Sequence, residues 1–198
     1  MSPRPAVQES RSLQRDRILE AFETRARADG PRAVVMAELA RDLGISTRTL
    51  YQHFGSKAEL VEEVLGRWAA EMDADQAERL QSAGSVEARM IEAATGWIEG
   101  QDRFSEAFWQ QVSADFPEAT RVLSDQVRKS LGVAREQVAR ELHHGLDVDL
   151  ALSLLKGAIR HALDPHRCDR LGISRQEAVR QSVELWCRGA LGPRGASD

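Results

Sequence analysis

Between residues 46 and 57, STRTLYQHFGSK, the side chains Ser46, Thr47, Arg48, Thr49, Tyr51, Gln52, His53 and Lys57 crowd around only two large apolar residues, Leu50 and Phe54. Hydroxyls bind phosphate oxygens, an arginine fork can bridge the two acceptors of a guanine, and a lysine beside a helix start faces an anion well. Those residue types at that density fit contact with a nucleic acid. Other chemistry is poorly served. His143, His144, His161, His166 and Cys168 form no His-x-x-x-His or Glu-x-x-His pair on one helix face, as a metal site would require. With no phosphate-cradling glycine loop and no nucleophile elbow either, we expect no catalytic residue, no metal and no cofactor.

The elements that must position these residues are helices. The chain has 198 residues, 42% hydrophobic and 29% charged, with 14 Gly and 6 Pro, the profile of a folded, mainly helical protein. Its net charge is −4, but the first 60 residues hold ten Lys/Arg against eight Asp/Glu and the remainder seventeen against twenty-three. A mildly basic head on an acidic body is the expectation. Cys168 and Cys187 give no disulfide framework and suit a reducing, cytoplasmic setting. The most apolar stretch, LALSLLKGAI, is interrupted by Lys156 and falls short of the ~20 residues that span a bilayer, so no membrane partner is expected.

Residues 1–11 contain two prolines and read as a flexible arm, and Arg4, Arg11 and, just beyond it, Arg15 either reach an adjacent groove or backbone or stay solvated. Ile18, Leu19, Phe22 and Ala26 then make an amphipathic stripe that ends at DGP, 29–31. Met36, Leu39, Ala40 and Leu43 share a face of a second helix, which Gly44 can close in a left-handed conformation. Ser46 is an N-cap for a third helix, anchored by Leu50 and Phe54. Ser56 and Glu59 have capping-box spacing for a fourth helix, which the apolar residues from Leu60 to Met72 extend to about 80. A helix, a short glycine turn and a second helix form the unit whose second member enters a major groove about 12 Å wide. The same tetrapeptide, LGIS, recurs at 171–174, where Ser174 and Glu177 repeat the box after a stretch, DPHRCDRLG, that reads as a polar loop.

GPRAVVMAELARDLGISTRTLYQHFGSKAELV resembles the DNA-binding head of the tetracycline-repressor (TetR) family. The likeness covers about residues 12–65, through Gly30, Leu39, Ala40, Gly44, Ile45, Ser46, Thr49, Leu50, Tyr51, His53, Phe54, Ser56, Lys57 and Leu60. It implies an all-α protein of about nine helices: a three-helix head over 12–56 and a ligand-binding and dimerisation bundle over 57–198. It implies base contacts from Thr47 and Arg48, with Thr49 at a base or a phosphate. Phosphate contacts from Tyr51, His53 and Lys57 also follow, with Ser46 and Gln52 beside them, while His53 has a second reading as a packing or capping residue. Where many members open helix two with a Ser/Thr pair, this chain has Val34 and Val35, and that contact should be missing.

The resemblance further implies a homodimer through the apolar segments 148–163 and 175–191 on a palindromic operator, and a small-molecule effector. Trp68, Met90, Trp97, Phe104, Phe108, Trp109 and His143 are candidate pocket lining, or simply core. With few polar groups among them, a mostly apolar or aromatic effector fits best. The expected function is a transcriptional regulator, a repressor released by its effector. The alternatives are a helical adaptor that does not bind DNA and, behind it, a helical enzyme.

Overall fold

The computed structural model describes residues 5–82 and 84–192. Every regular element among them is a helix. In order these are α1 (Pro5–Asp29), a 3-10 turn (Pro31–Ala33), α2 (Met36–Asp42), α3 (Thr47–His53), α4 (Lys57–Ser82), α5 (Val86–Asp102), α6 (Glu106–Asp115), α7 (Pro117–Glu141), α8 (Val148–Ala162), α9 (Pro165–Leu171) and α10 (Arg175–Ala190).

Three departures from the sequence expectation have local causes. Residues 5–11 continue α1 instead of forming an arm: Pro5 takes the first helical position, where its fixed φ and missing N–H cost nothing, and no Gly or Pro follows before the helix ends. Residues 1–4, including Arg4, lie outside the described residues, as does Ala83 in the expected break before α5. The expected polar loop at 164–172 holds α9, which makes ten α-helices among the described residues. Asp164 caps it by accepting from His166 N–H, Pro165 occupies its first turn, Cys168 is buried and Gly172 ends it at φ 65°. The capping boxes are only half formed. Ser56 and Ser174 accept from the backbone N–H of Glu59 and Glu177, but the Glu59 carboxylate turns to Gly55 N–H (2.7 Å) and that of Glu177 to Arg180 and Gln181.

The chain forms two compact units. One unit combines the N-terminal residues up to Ala70 with Asp102–Ser124; the other combines Glu71–Gln101 with the residues from Asp125 onward. In the first, α1 buries Ile18, Leu19, Phe22 and Ala26, while Leu39, Leu50, Phe54, Leu60, Val61, Val64 and Leu65 supply apolar side chains from α2 to α4. Helix α6 belongs here because it is tied to the end of α1. Ser105 N–H donates to Arg27 O (2.8 Å), Gln111 bridges Asp29 O and Arg32 N–H, and Arg32 forks onto Asp115 (2.6 and 2.8 Å).

The second unit is built on Val86, Met90, Ile98, Val138, Leu152, Leu155, Val179, Val183 and Cys187. There α8 packs along α10, and Trp186 Nε1–H donates to Ala151 O (3.0 Å). Burial pushes the Cys187 thiol up to about 12, with the nearby Glu87 and Glu141 adding to it, which makes it a core filler and no nucleophile.

Candidate nucleic-acid interface

Helix α3 is seven residues long, too short to be stable alone, so its surroundings hold it. Ser46 starts it by accepting from Thr49 N–H (3.0 Å), and the two hydroxyls lie 2.8 Å apart. At its other end Phe54 N–H donates to Leu50 O. Leu50 and Phe54 are completely buried, and these two side chains fix which way the helix faces.

The other side chains of α3 are exposed or half-buried. Thr47, Arg48, Tyr51 and Gln52 are exposed, Tyr51 by 46%, and Thr49 and His53 are half-buried. The structure therefore gathers Ser46, Thr47, Arg48, Thr49, Tyr51, Gln52 and His53 onto one short helix with its cap, presenting a guanidinium, hydroxyls, an amide and a phenol. The His53 imidazole is held below its ordinary pKa, first by burial and then by the positive charges of Arg11 and Arg15, so it is neutral near pH 7.

Lys57 begins α4, but its ammonium is partly committed, donating to Pro31 O at 2.9 Å. Burial lowers its pKa. Two of its three protons remain for an anion. At the N-terminus of α2, Val34 is buried and Val35 is the N-cap, 51% exposed and with no side-chain capping bond, as expected where a hydroxyl is absent.

For Arg15 the sequence offered a groove or backbone contact or a solvated place, and it missed the packing role that the structure shows. Its guanidinium lies over the Phe54 ring, Cζ 3.9 Å from the centroid, donates to the His53 carbonyl, and pairs with Glu59 and Glu63. A signal was available. Arg15 stands three, four and seven residues before Ile18, Leu19 and Phe22, which puts it on the packed face of α1.

The candidate pocket residues divide between the units. Trp68, Phe104, Phe108 and Trp109 form one aromatic cluster, with Phe104 and Phe108 stacked (4.3 Å) and Trp109 edge-on to Trp68, Phe104 and Phe108 (5.6, 5.4 and 5.2 Å). Arg27 covers the Phe104 ring at 5.4 Å. In the second unit Met90 is buried in the core, Trp97 is half-buried on α5, and His143 is exposed in the turn after α7, its N–H donating to Ala190 O. No group of three or more His, Cys, Asp or Glu able to hold a metal converges among the described residues. No described helix is long and apolar enough to cross a membrane.

Residues 18–64 match the sequence model of bacterial regulatory proteins, tetR family. No curated protein matches the chain in sequence. Among solved structures, the chain is similar to a protein assigned as a transcriptional regulator from Saccharomonospora viridis, in complex with choline, at 20% identity, covering 92% of this chain and 100% of that one with TM-score 0.73. A protein assigned to the TetR-family transcriptional regulators from Mesorhizobium loti MAFF303099 shares 18% identity over 92% and 98% of the two chains, TM-score 0.66. The superantigen PfiT shares 18% over 87% and 95%, TM-score 0.68. Likeness at these identities establishes the fold, and a fold shared with a superantigen does not dictate function.

Proposed function

We propose that this chain, which carries a tetR-family head on the all-helical fold of TetR-family transcriptional regulators, is a sequence-specific double-stranded-DNA-binding regulator that acts as a repressor. The carrying observation is the division of α3 into a buried anchor, Leu50 and Phe54, and an outward polar set on a capped, seven-residue helix. A helix with that division fits a major groove, its N-terminal side chains at base edges and its margins at phosphates. In this reading Arg48 and Thr47 read bases. Thr49, Tyr51, Gln52, His53, Ser46 and the free protons of Lys57 position the helix on the backbone. Residues 12–56 are the DNA-binding domain and 57–198 the ligand-binding and dimerisation domain, with α6 additionally braced on the head.

A dimer is supported by the apolar side chains left outside by α8, Leu150 and Leu154 (62% exposed), by Leu146 in the turn before it, and by Leu185 of α10, 74% exposed. Two heads of such a dimer meet half-sites about 34 Å apart on a palindromic operator. The aromatic cluster around Trp109 supports a small, mostly apolar or aromatic effector that releases the DNA, with Met90, Trp97 and His143 as further candidate contacts. Since aromatic faces also attract quaternary ammonium groups, choline, carried by the S. viridis neighbour, is a probe to set against a neutral aromatic. The protein acts in the cytoplasm, where its DNA is.

The test is a selection from random duplexes with the full chain at two salt concentrations. Recovery of a palindrome whose binding weakens steeply with salt is the expected result. Enrichment of no sequence sinks the regulator reading.

A further inference from the structure

We propose that Arg15 is the positioning residue for the DNA-reading helix: from α1, its guanidinium clamps the turn between α3 and α4 and so sets the angle at which α3 is presented. The inference rests on the DNA-binding reading above.

The geometry involves three consecutive residues of that turn. The guanidinium plane stacks on Phe54, one of its amino groups donates to the carbonyl of His53, and the other reaches Glu59 Oε1 at 3.1 Å. Glu59 spends its second oxygen on Gly55 N–H at 2.7 Å, so the clamp extends through it to the third residue. Glu63 closes the fork from α4, accepting from Arg15 Nε at 3.3 Å and from an amino group as well. Only a planar, five-donor cation can stack and fork at once; a lysine ammonium cannot do both. The clamp lies where α3 buries little, because Leu50 is its one fully buried side chain, Phe54 is the next just past its end, and Arg15 sits on the latter.

The same contacts argue against the alternative that Arg15 reaches DNA. A phosphate would have to displace two carboxylates already bound, and those carboxylates would repel it. With Arg15 in place, one of their two negative charges is offset beside the reading helix.

Three full-length variants test the proposal against the operator recovered above. Arg15→Gln should weaken specific binding about tenfold while the slope of log K against log salt stays that of the wild type, since no phosphate contact is lost. In the same variant the His53 imidazole, followed by NMR titration without DNA, should titrate at higher pH, having lost the nearby Arg15 charge. Glu63→Ala should weaken binding about threefold although it removes a negative charge, because it loosens the clamp; a DNA-contacting Arg15 predicts tighter binding. Arg15→Lys should fail to restore wild-type affinity.

A salt slope shallower by about 0.9, or tighter binding by Glu63→Ala, makes Arg15 a phosphate contact and overturns the clamp. Full rescue by Lys overturns it too. Should Arg15→Gln not fold, the sign of the Glu63→Ala effect decides. Should the wild type prefer no duplex, the DNA reading fails, and an unmoved His53 titration separately removes the clamp.

Discussion

The tetrapeptide Leu-Gly-Ile-Ser occurs at 43–46 and at 171–174, and the two copies fold alike while serving different ends. In both, the glycine is left-handed, Gly44 at φ 69° and Gly172 at φ 65°. Ile45 N–H reaches back to Ala40 O and Ile173 N–H to Cys168 O, while Gly44 and Gly172 bond to Arg41 O and Asp169 O. This is the paired bonding that ends a helix at a left-handed residue. Ser46 and Ser174 then cap the next helix on the N–H three residues on. The difference begins after the cap. Helix α10 runs sixteen residues and buries Ala178, Val179, Val183, Cys187 and Ala190, whereas α3 runs seven and buries Leu50 alone, with Phe54 just beyond its end. A turn is decided by its own few residues. Whether the helix that follows becomes core or stays largely exposed is decided by how much apolar surface follows the turn.

The largest effect should come from breaking the smaller anchor. Phe54→Ala removes a fully buried ring, half of what holds α3, and should cost about 3 to 5 kcal/mol in denaturant unfolding. An unfolding midpoint like the wild type's would mean that α3 is held by something else.

Next in size, Arg48→Ala should cost about 1 to 3 kcal/mol at one base pair of the operator, measured by competition among single-base variants. Gln176 holds the same place two residues past the second cap and is exposed; Gln176→Ala should leave the ranking of sites untouched. If both changes act alike, the reading surface is not where the comparison puts it.

The comparison is sharpened by the glycines themselves. A Cβ on Gly44 or Gly172 would meet nothing within 4 Å, so alanine at either pays only for the left-handed backbone, about 1 to 2 kcal/mol in each. Unfolding should show equal losses, and only Gly44→Ala should also weaken DNA binding. Unequal losses would show that the two turns differ in strain.

The smallest effect is protonic. Because folding holds the His53 pKa below its unfolded value, the unfolded chain takes up the proton first, and this residue's contribution to stability is lost as pH falls through about 6.5. DNA binding runs the other way, since a phosphate favours imidazolium: operator affinity should rise between pH 8 and pH 6 and flatten in His53→Gln. An equal pH dependence in that variant would return His53 to its reading as a packing residue.

The turn, cap and anchor of α3 were legible in the sequence because their signals are short-ranged: a cap, a left-handed glycine and two apolar residues four apart. Helix α9 was not. Among its described side chains Cys168 alone is buried, which leaves no stripe to see, and the charged DPHRCDRLG looks like a loop until Asp164 and Pro165 are read as a helix start. The Arg15 clamp and the bracing of α6 on the head join residues 38 to 83 positions apart, beyond the reach of any periodicity. The direction of Glu59 escaped for another reason: its carboxylate had two N–H groups within reach and Arg15 beside it.

Gly30 sets a limit on how this molecule can be taken apart. Its φ is +82°, and the place its Cβ would fill is taken by the amide of Gln111, which holds Asp29 O and Arg32 N–H. The head is thus finished by a side chain that the chain delivers some eighty residues later. A chimaera that grafts the first 56 residues onto a relative's body would arrive with its corner open. To be portable, the cassette has to include α6, or its recipient has to offer a glutamine at the same place.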